Sequence, residues 1–131
     1  MFTSTSVKDY MTASLITFTP DMDVLEAIRL LLENGISGAP VVDKLGNIIG
    51  ILSDRDCIKV ALTAGYHGEK GGKVAEFMSR SVKTIDATAS LMDVAKRFVT
   101  EPFKRYPVMD DNRLAGQISR HDVLKALQDL W

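Results

Sequence analysis

A seven-residue pattern that occurs twice constrains this chain more than any other feature. Gly50-Ile-Leu-Ser-Asp-Arg-Asp56 and Gly116-Gln-Ile-Ser-Arg-His-Asp122 share the spacing Gly-x-x-Ser-x-x-Asp. Each copy reads as a buried strand running into a helix, with the serine and the aspartate at the junction. The match extends outward on both sides. Val74 and Met78 stand 67 residues after Val7 and Met11, and Thr84 stands 67 after Thr17. Ser90-x-x-Asp93 falls on Asp23-x-x-Glu26, Val94, Ala95 and Phe98 on Ala27, Ile28 and Leu31, and Pro107-Val108 on Pro40-Val41. One residue deleted in the following hairpin brings the offset to 66, which the two seven-residue patterns share. A duplication this regular sets the fold class: an α/β chain of two β-α-β-β-α repeats, 7–64 and 74–130.

Local signals support the same order of elements. Val7 to Met11 reads as one loose helical turn, and Leu15-Ile-Thr-Phe18 as a brief strand stopped by Pro20. Asp23-x-x-Glu26 is a capping-box pattern, in which the first side chain satisfies free amides of the helix start. Val24, Ala27, Ile28, Leu31 and Leu32 then recur at helical spacing, and Asn34-Gly35 supplies a left-handed stop. Ala39-Pro-Val-Val42 and Ile48-Ile-Gly-Ile-Leu52 are short buried strands joined by a hairpin at Lys44 to Asn47. Arg55 to about Ala64 continues as a helix ending at Gly65. Residues 65–73, with four glycines, read as a flexible linker between the repeats.

Composition closes off several classes. At 131 residues the chain has room for one compact domain or two small lobes, and each half alone is marginal. A net charge of −1 gives no basic footprint, which argues against nucleic acid as a partner. No apolar run approaches the ~20 residues needed to span a bilayer, and Met1 to Thr5 lacks the regions of a secretory leader. The single cysteine, Cys57, leaves no intramolecular disulfide, so a reducing cytoplasm is the expected compartment. No His/Cys/Asp cluster has metal-ligand spacing, so neither a metal nor a catalytic cofactor is expected.

Taken in order, the methionine after the lead turn, the Pro-Val strand and the hairpin ending in Gly-x-x-Ser-x-x-Asp resemble the cystathionine-β-synthase (CBS) domain pair, or Bateman module. The resemblance covers the chain from about Val7 to Leu127. It implies two repeats packed sheet to sheet about a pseudo-two-fold axis, with two ligand clefts between them. It further implies a homodimer of modules and an adenosine-containing ligand: AMP, ADP, ATP or S-adenosylmethionine. The activity so implied is regulatory rather than enzymatic, the ligand changing lobe or dimer geometry to signal to an unidentified protein partner. The alternative is a dimerising interaction scaffold whose clefts are vestigial.

The residues suit such a ligand. A carboxylate accepts two ribose hydroxyls in charge-assisted bonds, and Asp56 and Asp122 stand at helix starts that favour anions. Ser53 and Ser119 add hydroxyls. The family pattern places the base near Thr17 and Thr84 and along the backbone ahead of each Pro-Val strand, at Ile36, Ser37, Gly38, Ala39 and Pro40 and at Phe103, Lys104, Arg105, Tyr106 and Pro107. Lys104, Arg105, Arg120 and His121 are candidate phosphate donors. The first repeat has only Arg55, with Asp54 where the second has Arg120. The two sites are therefore expected to differ in affinity and in preferred ligand charge. Pro102 is expected to reshape the helix exit before Phe103. A purely structural role stands beside all of this: Ser-x-x-Asp before an apolar helix is itself a capping box worth about 1 kcal/mol. Ser119, His121 and Asp122 lie within four residues of one another, unlike triad partners that converge from separate elements.

Overall fold

A computed structural model describes residues 2–13, 15–67 and 71–131. Gly68, Glu69 and Lys70 of the expected linker lie outside the described residues. The elements run α1 (Val24–Asn34), β1 (Gly38–Val42), β2 (Ile48–Ser53), α2 (Asp54–His67), α3 (Val74–Phe77), β3 (Ile85–Asp86), α4 (Leu91–Thr100), β4 (Arg105–Asp110), β5 (Arg113–Ser119) and α5 (Arg120–Leu130), preceded by a 3₁₀ turn at Val7–Asp9. The α/β class and the duplicated order read from the sequence are both present. Helix α2 continues past Gly65 to His67.

Two compact units form: Ile16–Val82, and Met1–Leu15 together with Lys83–Trp131. They are cut differently from the sequence repeats, because the lead segment of each repeat belongs to the unit that holds the other repeat's sheet. In the unit Ile16–Val82, β1 and β2 pair antiparallel from Gly38↔Ser53 to Val42↔Ile48, with a bulge between Val41 and Val42. The strand expected at Leu15–Phe18 is reduced to one parallel bridge: Phe18 donates its amide to the Pro40 carbonyl at 2.9 Å and accepts from Val42 at 2.8 Å. Helix α1 is capped as expected, Asp23 accepting from the Leu25 amide at 2.9 Å and Gly35 closing the helix at φ 61°. Its Glu26 pairs with Arg29 instead of reaching back to the cap. Phe18, Val24, Leu31, Val41, Leu52 and Val74 fill the core of this unit.

In the other unit, β3 runs parallel to β4, and β4 antiparallel to β5. Val7, Leu91, Val94, Tyr106, Val108 and Ile118 are buried at its centre. Ser90 caps α4, accepting from the Asp93 amide at 3.1 Å. The exit of α4 differs from that of α1. Glu101 is extended, at φ −111° and ψ 150°, as the residue before Pro102 must be.

The packing also explains the conserved geometry of the two patterns within this chain. Thr12 and Gln117 exchange amide–carbonyl bonds of 2.8 and 3.0 Å, and Ser79 and Ile51 exchange two of 2.9 Å. A lead segment thus crosses each sheet at the strand that precedes the Ser-x-x-Asp junction. At the crossing point the strand carries glycine. A methyl group on Gly116 would lie 2.5 Å from the Thr12 carbonyl oxygen and 3.1 Å from the Met11 sulfur. One on Gly50 would lie 2.6 Å from the Met78 sulfur and 2.9 Å from the Ser79 carbonyl oxygen. The prolines follow from the same crossing. Pro40 faces Ile51 and Pro107 faces Gln117, residues whose backbone groups are turned to the lead segments, so the missing proline amide removes no ladder bond.

Candidate functional site

Each repeat brings its candidate residues to one end of its sheet. Gly38, where β1 begins, pairs with Ser53, where β2 ends, and the Asp54 amide donates to the Ser37 carbonyl at 2.7 Å. Arg105 likewise pairs with Ser119, and the Arg120 amide donates to the Lys104 carbonyl at 3.2 Å. Thr17 precedes Phe18 beside β1, and Thr84 precedes β3 beside β4, so both threonines sit on the neighbouring segment at that same end; both are exposed.

The serine and aspartate form the same structure twice. Asp56 Oδ2 accepts from the Ser53 amide and hydroxyl, both at 3.0 Å, and Ser53 Oγ accepts from the Asp56 amide at 3.1 Å. Asp122 Oδ2 accepts from the Ser119 amide at 2.9 Å and hydroxyl at 3.1 Å, and Ser119 Oγ accepts from the Asp122 amide at 3.3 Å. The structural role is therefore realised in full: these are closed capping boxes. They also fix each carboxylate through one oxygen, leaving Oδ1 outside the box. Asp56 is buried and Asp122 half-buried.

The surroundings differ in charge. Lys59, which the sequence reading passed over, holds Asp56 Oδ1 at 3.4 Å. Its signal was the three-residue spacing on one helix face. Across residues 36–38 and 53–59, Arg55 and Lys59 balance Asp54 and Asp56. The equivalent ranges 103–105 and 119–125 carry Lys104, Arg105, Arg120 and Lys125, with Asp122 as their one acidic residue. Lys104, Arg120 and His121 are exposed and Arg105 is half-buried.

Several other candidates are buried or packed against the core. Ala39, Pro40 and Pro107 are buried within their strands, and Ile36 packs against the core. Tyr106 is fully buried; its ring meets Phe98 at 4.8 Å and Phe103 at 5.8 Å, and its hydroxyl donates to Glu101 at 2.7 Å. That bond, helped by Arg97 and Lys83, holds the Glu101 carboxyl down at about 2, while burial first and Glu101 second push the Tyr106 phenol up to about 12. Burial pushes the Cys57 thiol up to about 11.

The family model for the CBS domain matches residues 7–63 and 74–129. The chain belongs to the CBS domain family. Among similar proteins, CBS domain-containing protein YhcV of Bacillus subtilis is 32% identical over 119 residues, covering 90% of this chain and 82% of YhcV. Uncharacterized protein MJ1225 of Methanocaldococcus jannaschii is 30% identical over 125 residues, 95% of this chain but 44% of MJ1225, so the chain spans less than half of that relative. The crystal structure of CBSX2 in complex with AMP, a CBS-pair protein from Arabidopsis thaliana, superposes with a TM-score of 0.85 at 29% identity, covering 96% of this chain and 98% of CBSX2. The CBS domain pair of protein MJ0100, in complex with 5′-methylthioadenosine and S-adenosyl-L-methionine, gives a TM-score of 0.82 at 26% identity, covering 97% and 98%. The CBS fold of this chain is thus shared with pairs seen holding adenosine compounds. Among the described residues, no helix is long and apolar enough to cross a membrane, and no group of His, Cys, Asp or Glu could hold a metal ion.

Proposed function

We propose that this chain is a regulatory, non-catalytic CBS pair that binds an adenosine-containing ligand (AMP, ADP, ATP or S-adenosylmethionine) through its Ser-x-x-Asp junctions. The observation that carries the reading is the fixed carboxylate. In both repeats the same bonds orient an aspartate at the helix start, at the sheet end where an exposed threonine stands on the neighbouring segment. An ionised carboxylate so held accepts the two hydroxyls of a ribose, and Oδ1 is the atom the cap does not use. The helix starts behind Ser53 and Ser119 favour anionic groups. Four cations against one carboxylate suit the second junction to phosphate, and the balanced first junction to a ligand of lower charge. The complexes of CBSX2 and MJ0100 support the ligand class.

Two observations support binding over turnover. The Ser119 hydroxyl is engaged with Asp122 rather than activated by a histidine, and the only thiol is held far from its reactive form. Ligand occupancy is read out as a change in repeat or homodimer geometry by a partner protein, with a coupling of ~1–3 kcal/mol.

A thermal-shift panel of AMP, ADP, ATP, GTP and S-adenosylmethionine tests the proposal, each variant being compared with its own ligand-free midpoint. Adenosine ligands are expected to stabilise wild type by about 2–3 kcal/mol at a hundredfold excess over Kd, and Asp56→Ala or Asp122→Ala to lose part of that shift. Ser119→Ala weakens the cap but keeps the carboxylate, so it should retain more of the shift than Asp122→Ala. Absence of any nucleotide shift in wild type would favour the scaffold reading instead, to which the self-sufficient capping boxes lend weight.

A further inference from the structure

The second repeat carries a side-chain network for which the first has no counterpart. Arg97, in the last turn of α4, lies with its guanidinium carbon 4.4 Å from the centre of the Tyr106 ring. Its Nε donates to Glu101 Oε1 at 3.0 Å, and its Nη1 to the Thr84 carbonyl at 2.8 Å. Glu101 also accepts from the Tyr106 hydroxyl at 2.7 Å and from Lys83 Nζ at 3.1 Å. The equivalent positions in the first repeat hold Leu30, Asn34, Ala39 and Ile16, which cannot build this arrangement. The backbone reflects the difference. Beyond Thr84 the chain forms β3, whereas beyond Thr17 it makes only the Phe18 bridge.

We infer that Arg97 is a positioning residue for the ligand of the second repeat, holding the Thr84 main chain in place at the sheet end where Arg105 pairs with Ser119. The inference rests on the nucleotide reading above. Its physical content is preorganisation. Arg97 joins three pieces of the unit: the end of α4, the Tyr106 position of β4 and the entrance to β3. Tyr106 stacks under the guanidinium and anchors Glu101, so the fork of Arg97 is held in the one orientation that reaches Thr84. The Thr84 segment is therefore ordered on folding rather than on ligand arrival, and binding there carries less ordering cost. With its carbonyl already engaged by Arg97, the Thr84 main chain is fixed before a ligand arrives. The position equivalent to Arg97 is Leu30, whose side chain cannot donate to the Thr17 carbonyl, so the first repeat is the more adaptable of the two.

The test uses the full chain with AMP and with uncharged adenosine as probes. Arg97→Leu, which installs the residue type found at Leu30, is expected to raise Kd for both probes about tenfold, the scale of one lost ordered segment. Amide exchange at residues 84–86 of the ligand-free protein is expected to quicken, with exchange in the β1–β2 hairpin unchanged. Arg97→Lys keeps the charge, but a single ammonium cannot serve Glu101 and the Thr84 carbonyl in the same fork geometry; it is expected to behave like Arg97→Leu. If Arg97→Lys restores AMP affinity, or if only AMP and not adenosine is weakened, Arg97 acts by its charge on phosphate and the positioning role is overturned. If wild type binds AMP and Arg97→Leu leaves Kd or the exchange at 84–86 unaltered, the inference fails while the nucleotide reading stands. If wild type binds neither AMP nor adenosine, both fail together.

Discussion

Replacing Gly116 with alanine places a methyl carbon 2.5 Å from the Thr12 carbonyl oxygen, where ordinary contact begins at 3.4 Å. The lead segment must retreat by about 0.9 Å, the difference between those two distances. Its retreat acts directly on the paired bonds between Thr12 and Gln117, now 2.8 and 3.0 Å. Displacing them by that amount takes them outside hydrogen-bond range, at about 1 kcal/mol net for each. Overpacking elsewhere in the crossing adds ~1–3 kcal/mol. Restricting the unfolded chain returns ~0.4–1 kcal/mol. The expected net loss is about 2–5 kcal/mol, read as a lower midpoint in urea unfolding followed by far-ultraviolet circular dichroism. At Gly50 the nearest atom is the flexible Met78 sulfur, and the backbone oxygen of Ser79 lies at 2.9 Å, farther than the 2.5 Å of the Thr12 oxygen at Gly116. Gly50→Ala should therefore cost less, and pairing it with Met78→Ala should be less than additive. A loss below ~0.5 kcal/mol for Gly116→Ala, the range of neutral surface changes, would refute the argument that the lead segment needs a bare backbone at this crossing.

Three further outcomes are expected. The Glu101 carboxyl, depressed to about 2 by Tyr106, Arg97 and Lys83, contributes stability that is fully present above its ordinary value of 4.5 and is lost as pH falls through about 2. Glu101→Gln should therefore be less stable than wild type at pH 7, with the gap narrowing between pH 4.5 and 2 in acid-unfolding curves; a gap independent of pH would contradict the network. Ser53→Ala and Ser119→Ala should each cost ~0.5–2 kcal/mol in urea midpoints through loss of a capping hydroxyl, and no loss in either would show that the boxes do not support their helices. Cys57, with its thiol raised to about 11, should react slowly with iodoacetamide at pH 7.5 and progressively faster up to pH 10, whereas a plateau near neutrality would indicate an activated thiolate.

Much of the fold was legible because its signals are local or repeated. Asp23 and Ser90 cap the helices their spacing announced, Gly35 ends α1 in the left-handed conformation, and the offset between the two patterns shows that one architecture is used twice. The candidate site was legible as a set of residues, since both strand-to-helix junctions and their charge asymmetry can be read from residue types. What escaped was long-range. Nothing near Gly50 or Gly116 indicates that Met78 and Met11, far away in sequence, cross above them. The brief strand ahead of Pro20 shrank to one bridge because its pairing is set by β1 rather than by its own apolar residues. Tyr106 is a ligand candidate by its neighbours Lys104 and Arg105, and what the sequence did not show is that its ring fills the core and its hydroxyl serves Glu101. That partner belongs to a different element, so no periodicity could reveal it.

The central claim is that the capped aspartates hold an adenosine ligand, and calorimetric titration of AMP into the full chain tests it most directly. The account predicts saturable heat for wild type, with Asp122→Ala and Asp56→Ala each diminishing it while Ser119→Ala largely preserves it. Absence of saturable heat, or binding indifferent to both aspartates, would contradict the claim and leave the Ser-x-x-Asp junctions as helix caps alone.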